Sequence, residues 1–314
     1  MSLERITVVG SGLMGYGIAM IFAAQGHVVK LVDNDESKLS SAKTRVLENL
    51  KTMLEHGIKF TDAPEIILER IEISTNLEAA CQNSDFVIEA VFEDMALKQQ
   101  VFADLDRYCT ETTILCSNTS VMSITEIASK SIHRHRIVGT HFWNPPHLIP
   151  LVEVVKAQDS SDEAVNATYA LLERVGKRPI KVLKDVPGFV ANRLQHALWR
   201  EAFHMIDEGI CDAHTVDQAI KNGPGLRWSV LGPVENADLV GLDLSKAIHD
   251  YLLPHLNASP APSRTLLEHV AKNKLGFKTH QGFFSWTDLE IQALRERLAH
   301  HLLRSQAETF KGEV

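Results

Sequence analysis

A histidine and a glutamate twelve positions apart are the pair whose types and spacing point most directly to chemistry. His141 ends an apolar, strand-like run, and Glu153 lies within a second β-branched run at 151–155. A proline-containing turn joins the two runs, so the side chains can meet across neighbouring strands. The carboxylate would then fix one imidazole tautomer and make it a better general base near neutral pH. Spacing alone leaves open a histidine that only packs and hydrogen-bonds at a strand end.

Upstream of this pair, the chain begins with the pattern of a dinucleotide-binding site. A β-branched run at 6–9 leads into a glycine-rich turn, and a helical pattern then continues to about Gln25. The first glycine permits a tight turn, the second lets backbone approach a pyrophosphate, and the third allows close packing of helix on strand. The helix N-terminus offers free N–H groups to phosphate. The residues predicted to contact the dinucleotide are Gly10, Gly12, Leu13, Met14 and Gly15.

A second strand-like run ends at Asp33, 23 residues after Gly10. An acid at this place accepts hydrogen bonds from the ribose hydroxyls of a bound dinucleotide. The next residues are Asn34-Asp35-Glu36, so a 2′-phosphate would meet carboxylates and no arginine. The sequence therefore favours NAD over NADP as the cofactor.

The elements that must position these groups alternate between strand and helix as far as residue 185. Such alternation predicts a Rossmann-type, doubly wound parallel sheet in an α/β domain over residues 1–185. Ligands of these sheets lie beyond the carboxyl ends of the strands. Polar residues at or just past predicted strand ends are Glu93, Asn118, Ser120, His141 and Asn144. Several polar groups at one rim indicate a site more strongly than any one of them.

From residue 186 to residue 314 the apolar residues recur at helical spacing. This pattern predicts a mostly α-helical C-terminal domain that binds substrate. Apolar helices of this kind commonly pair two subunits, so we expect a homodimer.

Composition excludes several classes of protein. With 45% hydrophobic and 23% charged residues, the chain has the balance of a soluble globular protein. Its net charge of -8 disfavours nucleic acid as a partner, and no apolar run reaches the roughly 20 residues of a membrane span. The first residues pass directly into a strand, which leaves no room for a signal peptide. Four cysteines without metal-like spacing predict reduced thiols, a cytoplasmic protein and no metal site.

Taken together, the motifs resemble the L-3-hydroxyacyl-CoA dehydrogenase family over almost the full length of the chain. In chain order they are Gly10–Gly15 with Asp33, Glu89–Glu93 with Lys98, Ser117–Ser120, His141–Pro145, Leu151–Val154, Pro187–Arg193, and Gly276–Thr279 near Gly282-Phe283. The resemblance implies that His141 is the catalytic base and Glu153 its orienting carboxylate. Ser120 and Asn192 would hold the reacting oxygen of the substrate. The residues that the resemblance places around the nicotinamide are Glu93, Lys98, Asn144 and Lys278.

The chain departs from the acyl-CoA-using members of this family at the helix after the second strand. Those members carry a serine and, seven positions on, a lysine that contact CoA, whereas this chain has Asn49 and His56, with Lys51 close by. The segments 144–150 and 223–228 look more like relatives that oxidise free hydroxy acids, among them carnitine, gulonate and a pyridine carboxylate. Arg227 could clamp a free carboxylate in bidentate fashion, or simply stack on Trp228 at the surface.

The function expected from these observations is an NAD-dependent dehydrogenase that oxidises a hydroxyl β to a carboxyl or thioester group. As the substrate, a small free hydroxy acid is slightly favoured over an acyl-CoA. The alternatives are an L-3-hydroxyacyl-CoA dehydrogenase of fatty-acid metabolism, a non-catalytic crystallin-like relative, and an NAD-sensing module. Intact His141, Glu153, Ser120 and Asn192 argue against a purely structural descendant.

Overall fold

The computed structural model describes residues 3–312, with the backbone alone for residues 308–312. The chain divides into two compact units. The first takes the residues up to Arg193 together with those from Leu298 onward, and the second is Leu194–Arg297. The boundary predicted from the sequence lies instead after residue 185. The last helix returns to the first unit because Leu303 is buried in the apolar core there.

Within the described residues, one eight-stranded sheet forms the centre of the first unit. Its strands are β1 (Ile6–Val9), β2 (Val29–Val32), β3 (Ile71–Ser74), β4 (Phe86–Glu89), β5 (Ile114–Ser117), β6 (Ile137–Phe142), β7 (Leu151–Val155) and β8 (Arg178–Val182). They are arranged in the order β3-β2-β1-β4-β5-β6-β7-β8, and β1 to β6 are parallel to one another. The predicted Rossmann-type α/β fold is confirmed.

The pairing of β6 with β7 is the one antiparallel pair among the described strands of the sheet. β7 is antiparallel to β6, with His141 directly opposite Glu153, and β8 is parallel to β7. The reason is the length of the connection, because a parallel crossover needs about a dozen residues or more. Residues 143–150 are too few, so they reverse the chain and bring the two side chains together.

Seven α-helices of the described chain flank the sheet. They are α1 (Leu13–Ala24), α2 (Glu36–Glu55), α3 (Pro64–Glu69), α4 (Leu77–Cys81), α5 (Met95–Tyr108), α6 (Ile124–Ile127) and α7 (Asp162–Arg174). In α2, Asp35 caps the first turn, and the buried residues from Leu39 to Met53 recur every three or four positions. α7, which the sequence analysis leaves unassigned, begins at a Ser161 cap and packs on β6, β7 and β8.

The remainder of the described chain is helical, which agrees with the predicted C-terminal domain. Its α-helices are α8 (Ala191–Asp207), α9 (Ala213–Asn222), α10 (Pro233–Val240), α11 (Leu242–Leu252), α12 (Arg264–Ala271) and α13 (Asp288–Gly312). α8 begins in the first unit and α13 ends in it. Among the residues that the structure describes, no helix combines the length and the apolar character that a bilayer span requires.

Candidate active site

The predicted contact between His141 and Glu153 is present. Their Cα atoms are paired in the antiparallel register of β6 and β7, and Nδ1 of His141 lies 2.7 Å from Oε2 of Glu153. The histidine is 5% exposed and the glutamate 0%. An ionised carboxylate can only accept hydrogen bonds, so we assign the imidazole proton to Nδ1. Nε2 is then the ring nitrogen that can take a proton from a bound alcohol.

Glu153 is held in place by more than the histidine. Its Oε1 accepts hydrogen bonds from the backbone N–H groups of Val190 (2.9 Å) and Ala191 (3.0 Å), where α8 begins. Burial by itself would raise the pKa of Glu153, but the hydrogen bonds from His141, Ala191 and Val190 outweigh it and lower that pKa. The carboxylate is therefore ionised at neutral pH and oriented by two strands and a helix start.

Two aromatic rings enclose the imidazole. The ring centroids of Trp143 and Phe189 lie 5.5 and 5.8 Å from that of His141. The indole Nε1 of Trp143 also donates to Oε2 of Glu153 at 3.4 Å. Trp143 lies inside the sequence motif that carries His141, but no role was predicted for it. Its place in that motif is the signal that could have identified it.

Ser120 and Asn192 are brought together at the same rim. The side-chain Nδ2 of Asn192 donates to the backbone carbonyl of Ser120 at 3.0 Å. Glu93 holds the other side of this loop, because its carboxylate accepts from the N–H of Ser120 (2.6 Å) and from the hydroxyl of Thr119 (2.9 Å). Within the part of the chain whose side chains are described, the bonds of Ser120 are made by its backbone N–H and carbonyl, which leaves its hydroxyl available to a ligand.

Lys98 has a different environment from the one that the sequence suggests. It is 1% exposed, and its Nζ lies 2.7 Å from Oε1 of Glu89 and 3.4 Å from Oε2 of Glu93. Glu89, the first residue of the motif that ends in Glu93, also accepts from the hydroxyl of Ser117 at 2.7 Å. Lys98 is thus a buried cation that holds the carboxylate of Glu93 in place.

The glycine-rich turn has the shape that a dinucleotide requires. A Cβ at Gly10 would lie 2.5 Å from the Ala90 carbonyl oxygen, and one at Gly15 would lie 1.7 Å from the Gly10 carbonyl oxygen. Gly12 precedes α1 without a side-chain cap and has open space where a Cβ would be. The first N–H groups of α1 are thus free of side-chain partners and fit a pyrophosphate. Leu13 and Met14 form the exposed or half-buried start of the helix.

Asp33 lies at the end of β2, beside this turn. Its Oδ2 accepts from both the N–H and the hydroxyl of Ser11, each at 2.8 Å. The turn and the acid therefore form one cradle that fits NAD. Among the described residues, no three His, Cys, Asp or Glu side chains form a group that could hold a metal ion.

Three other predicted site residues are exposed. Asn144 lies in the turn that follows Trp143, in the first unit. Arg227, which follows a short 3-10 turn, and Lys278 belong to the second unit. The predicted residues that the structure brings together in the first unit are Glu93, Lys98, Ser120, His141, Glu153 and Asn192.

Two family models match the chain and together cover most of its length. The model described as "3-hydroxyacyl-CoA dehydrogenase, NAD binding domain" matches residues 5–186. The model described as "3-hydroxyacyl-CoA dehydrogenase, C-terminal domain" matches residues 188–286. The boundary between them lies next to the predicted boundary at residue 185.

Individual relatives agree with the family models. The chain is 38% identical over 293 residues to the mitochondrial hydroxyacyl-coenzyme A dehydrogenase of Rattus norvegicus, covering 90% of this chain and 91% of that one. It is 31% identical over 302 residues to the 5-formyl-3-hydroxy-2-methylpyridine 4-carboxylate 5-dehydrogenase of Mesorhizobium japonicum, covering 96% of each.

A solved structure of a dehydrogenase with that same substrate name, described as an NAD+-dependent dismutase, superposes with a TM-score of 0.89. The identity is 29%, and the match covers 97% of this chain and 98% of the other. The chain accordingly belongs to the 3-hydroxyacyl-CoA dehydrogenase family and is an NAD-binding oxidoreductase that acts on CH–OH groups.

Proposed function

We propose that the chain oxidises a hydroxyl group β to a carboxyl or thioester group to the ketone, and that its preferred substrate is a small free hydroxy acid. The buried pair of His141 and Glu153, beside the cradle that fits NAD, is the observation that carries the proposal. When bound, NAD supplies the hydride acceptor.

In this proposal, Nε2 of His141 takes the hydroxyl proton of the substrate. Glu153 holds the ring and stabilises the imidazolium that forms, since it stays ionised in its buried position. The Ser120 hydroxyl and the amide of Asn192 hold the reacting oxygen. Glu93, supported by Lys98, lines the nicotinamide end together with Asn144 and Lys278. In the reverse direction, protonated His141 polarises the ketone.

The end of α2 supports a substrate without CoA. Nδ1 of His56 donates to the carbonyl oxygen of Thr52 at 2.8 Å, and the ring of His56 lies 5.7 Å from that of His300 in the last helix. Lys51 is paired with Glu65 at 3.3 Å. The positions at which CoA-using members hold CoA thus carry no free lysine here. The pyridine carboxylate dehydrogenase, whose substrate has no CoA, also matches almost the whole chain.

A panel assay tests this preference. Purified protein and NAD are mixed with 3-hydroxybutyryl-CoA, with carnitine, with gulonate and with other 3-hydroxy acids, and NADH absorbance is followed. We expect turnover of at least one free acid with a higher kcat/KM than that of the CoA thioester. Turnover of the thioester alone would contradict the proposal.

Arg227 is proposed to bind the carboxylate of the substrate. Replacing it by methionine removes a bidentate, charge-assisted contact, which is worth about 1.5–3 kcal/mol. We expect the KM for the free acid to rise about ten-fold or more while NAD affinity is unchanged. Arg227→Lys is the matched control, since it keeps the charge and loses the fork. An unchanged KM in Arg227→Met would show that Arg227 does not bind the substrate carboxylate.

An acyl-CoA substrate is the second candidate. It is favoured by the rat hydroxyacyl-coenzyme A dehydrogenase, which at 38% is more similar to this chain than the pyridine carboxylate dehydrogenase at 31%. Lys51 is the residue of α2 that would then bind CoA after giving up Glu65. Loss of thioester turnover in Lys51→Ala, with free-acid turnover absent throughout, would establish this alternative.

We also propose that the protein is a cytoplasmic homodimer in which the first domain binds NAD and the helical domain binds substrate and its partner subunit. The second unit supports pairing because it exposes apolar side chains of α10 and α11 and of the turn before α10 to a large extent, namely Val230, Val234, Leu239 and Tyr251. The four free cysteines agree with a reducing compartment.

A further inference from the structure

The turn between β6 and β7 is held by its backbone carbonyls. This connecting turn, residues 143–150, follows directly from His141 and Phe142 and leads to the strand of Glu153. Nζ of Lys177 donates to the carbonyl oxygens of Pro146 and Ile149, the latter at 3.0 Å. These two carbonyls flank the tip of the turn.

The two carbonyls between them are held by a second side chain. Nε2 of Gln306 donates to the carbonyl oxygens of His147 and Leu148 at 3.1 and 3.0 Å. The backbone N–H of Arg178 adds a bond to Pro150 at 2.9 Å. Five successive carbonyls of the connecting turn are therefore paired with groups distant in sequence, which fixes the course of its backbone.

Gln306 comes from a part of the chain that the family models do not cover. The C-terminal family model ends at residue 286, and α13 begins at Asp288. The end of this helix is anchored, since Leu303 is 3% exposed and packs in the core of the first unit. The helix is thus placed firmly enough to hold the connecting turn.

Lys177, which directly precedes β8, and Gln306 together form a clamp on the connecting turn. The residue is 7% exposed, and burial lowers the pKa of its amine to about 7. A buried amine is costly unless its N–H groups are hydrogen-bonded, and the two carbonyls provide those bonds. The clamp and the turn therefore stabilise each other.

We infer that Gln306 is a positioning residue for the reaction, acting through the connecting turn. The turn begins with Trp143, whose indole contacts both His141 and Glu153, and continues with Asn144 at the rim. Displacement of catalytic groups by about 1 Å can cost roughly 10²-fold in rate. This inference rests on the proposed role of His141 in catalysis, and it adds the C-terminal helix to the scaffold of the site.

The kinetic test compares Gln306→Leu with Gln292→Leu. Both changes remove an amide from α13, but Gln292 is exposed, and among the described residues its side chain bonds only Glu296. We expect kcat per NADH-binding site to fall about ten-fold in Gln306→Leu, with the dissociation constant of NADH within about two-fold of the wild type. The control should keep its kcat. Counting NADH-binding sites corrects for any unfolded fraction, and equal values of kcat in the two variants would overturn the inference.

A spectroscopic test does not require turnover. Trp143 is the one tryptophan of the first unit; Trp199, Trp228 and Trp286 belong to the second. In protein labelled with 5-fluorotryptophan, the ¹⁹F resonance of Trp143 is assigned by its loss in Trp143→Phe. We expect this resonance to shift in Gln306→Leu, while the other three stay in place. An unmoved Trp143 resonance would overturn the inference.

The two readouts separate this inference from the proposed function. One outcome is a protein that turns over none of the hydroxy acids or thioesters and still shows a shifted Trp143 resonance in Gln306→Leu. That result would support the clamp and contradict the proposed reaction. Should Gln306→Leu fail to fold, Gln306→Glu keeps the side-chain size and replaces the donor by an acceptor facing two carbonyls. We expect the same shift of Trp143 there, and its absence would again contradict the clamp.

Discussion

Two regions of the molecule differ in how they place polar and apolar side chains. One is the rim of the first unit, at the carboxyl ends of the sheet strands, and the other is the surface of the second unit. At the rim, Glu89, Lys98, His141 and Glu153 are buried, and each has a charged or hydrogen-bonding partner. In the second unit, Val230 is 86% exposed. Buried charge is tolerated only where partners surround it, so the groups of the rim have fixed geometry. Apolar side chains that are exposed in this way are typical instead of a surface that another molecule covers.

Replacement of His141 by alanine should have the largest effect, because it removes the base from this fixed rim. A positioned general base contributes about 10²- to 10⁴-fold, so kcat on a working substrate should fall by that factor. NAD binding, measured by calorimetry, should remain nearly intact since the glycine-rich turn is unchanged. His301→Ala, an exposed histidine of α13, is the control. Full activity in His141→Ala would remove this residue from the mechanism.

Replacement of Glu153 by glutamine should have the next largest effect. The change removes a charge-assisted hydrogen bond worth about 1.5–3 kcal/mol, which corresponds to a fall in kcat of about 10- to 10²-fold. The exposed Glu173→Gln in α7 is the matched control. A kcat equal to that of the control would show that the carboxylate does not assist His141.

The same variant tests the pH dependence of stability. The folded-state pKa of Glu153 is below its ordinary value of 4.5, so its ionised form stabilises the fold. That contribution is complete above about pH 4.5 and is lost as the pH falls through the lowered folded-state pKa. Urea unfolding between pH 3 and pH 6 should therefore show a shallower decline of the free energy of unfolding in Glu153→Gln than in the wild type. Parallel curves would contradict the lowered pKa.

Replacement of Asp33 by serine should have a smaller effect, confined to the cofactor. Loss of the carboxylate that faces the ribose hydroxyls should raise the dissociation constant of NAD about ten-fold, and the preference for NAD over NADP should narrow. Fluorescence titration with NADH and NADPH measures both. Asp159→Ser, an exposed acid of the first unit, serves as the control. Unchanged discrimination between the two cofactors would show that Asp33 only holds Ser11.

Replacement of Val230 by lysine should have the smallest effect on chemistry and a clear effect on assembly. A charge in the proposed apolar interface disfavours pairing, so sedimentation velocity should show a shift from dimer to monomer. Ile132→Lys alters an equally exposed apolar residue of the first unit and should leave the dimer intact. A wild type that sediments as a monomer at all concentrations would remove the proposed homodimer.

The local sequence pattern was sufficient to predict much of the fold. The strand, glycine turn and helix from Ile6 to Ala24 follow from short-range rules, and α2 follows from its Asp35 cap and apolar spacing. Even the contact of His141 with Glu153 could be predicted, because only a short turn separates their strands. Such features depend on residues within a few positions of each other. The same short turn makes β7 antiparallel to β6.

By itself the sequence determined the α/β class, the NAD-type cradle ending in Asp33, and the pairing of an imidazole with a carboxylate. Only the tertiary structure decided that Lys98 is buried beneath Glu93 and that Gln306 holds a turn 158 positions away. The reason is physical. Contacts between neighbours along a strand or helix follow from periodicity, whereas those between distant segments depend on how the packed elements fit, and no local pattern specifies that fit.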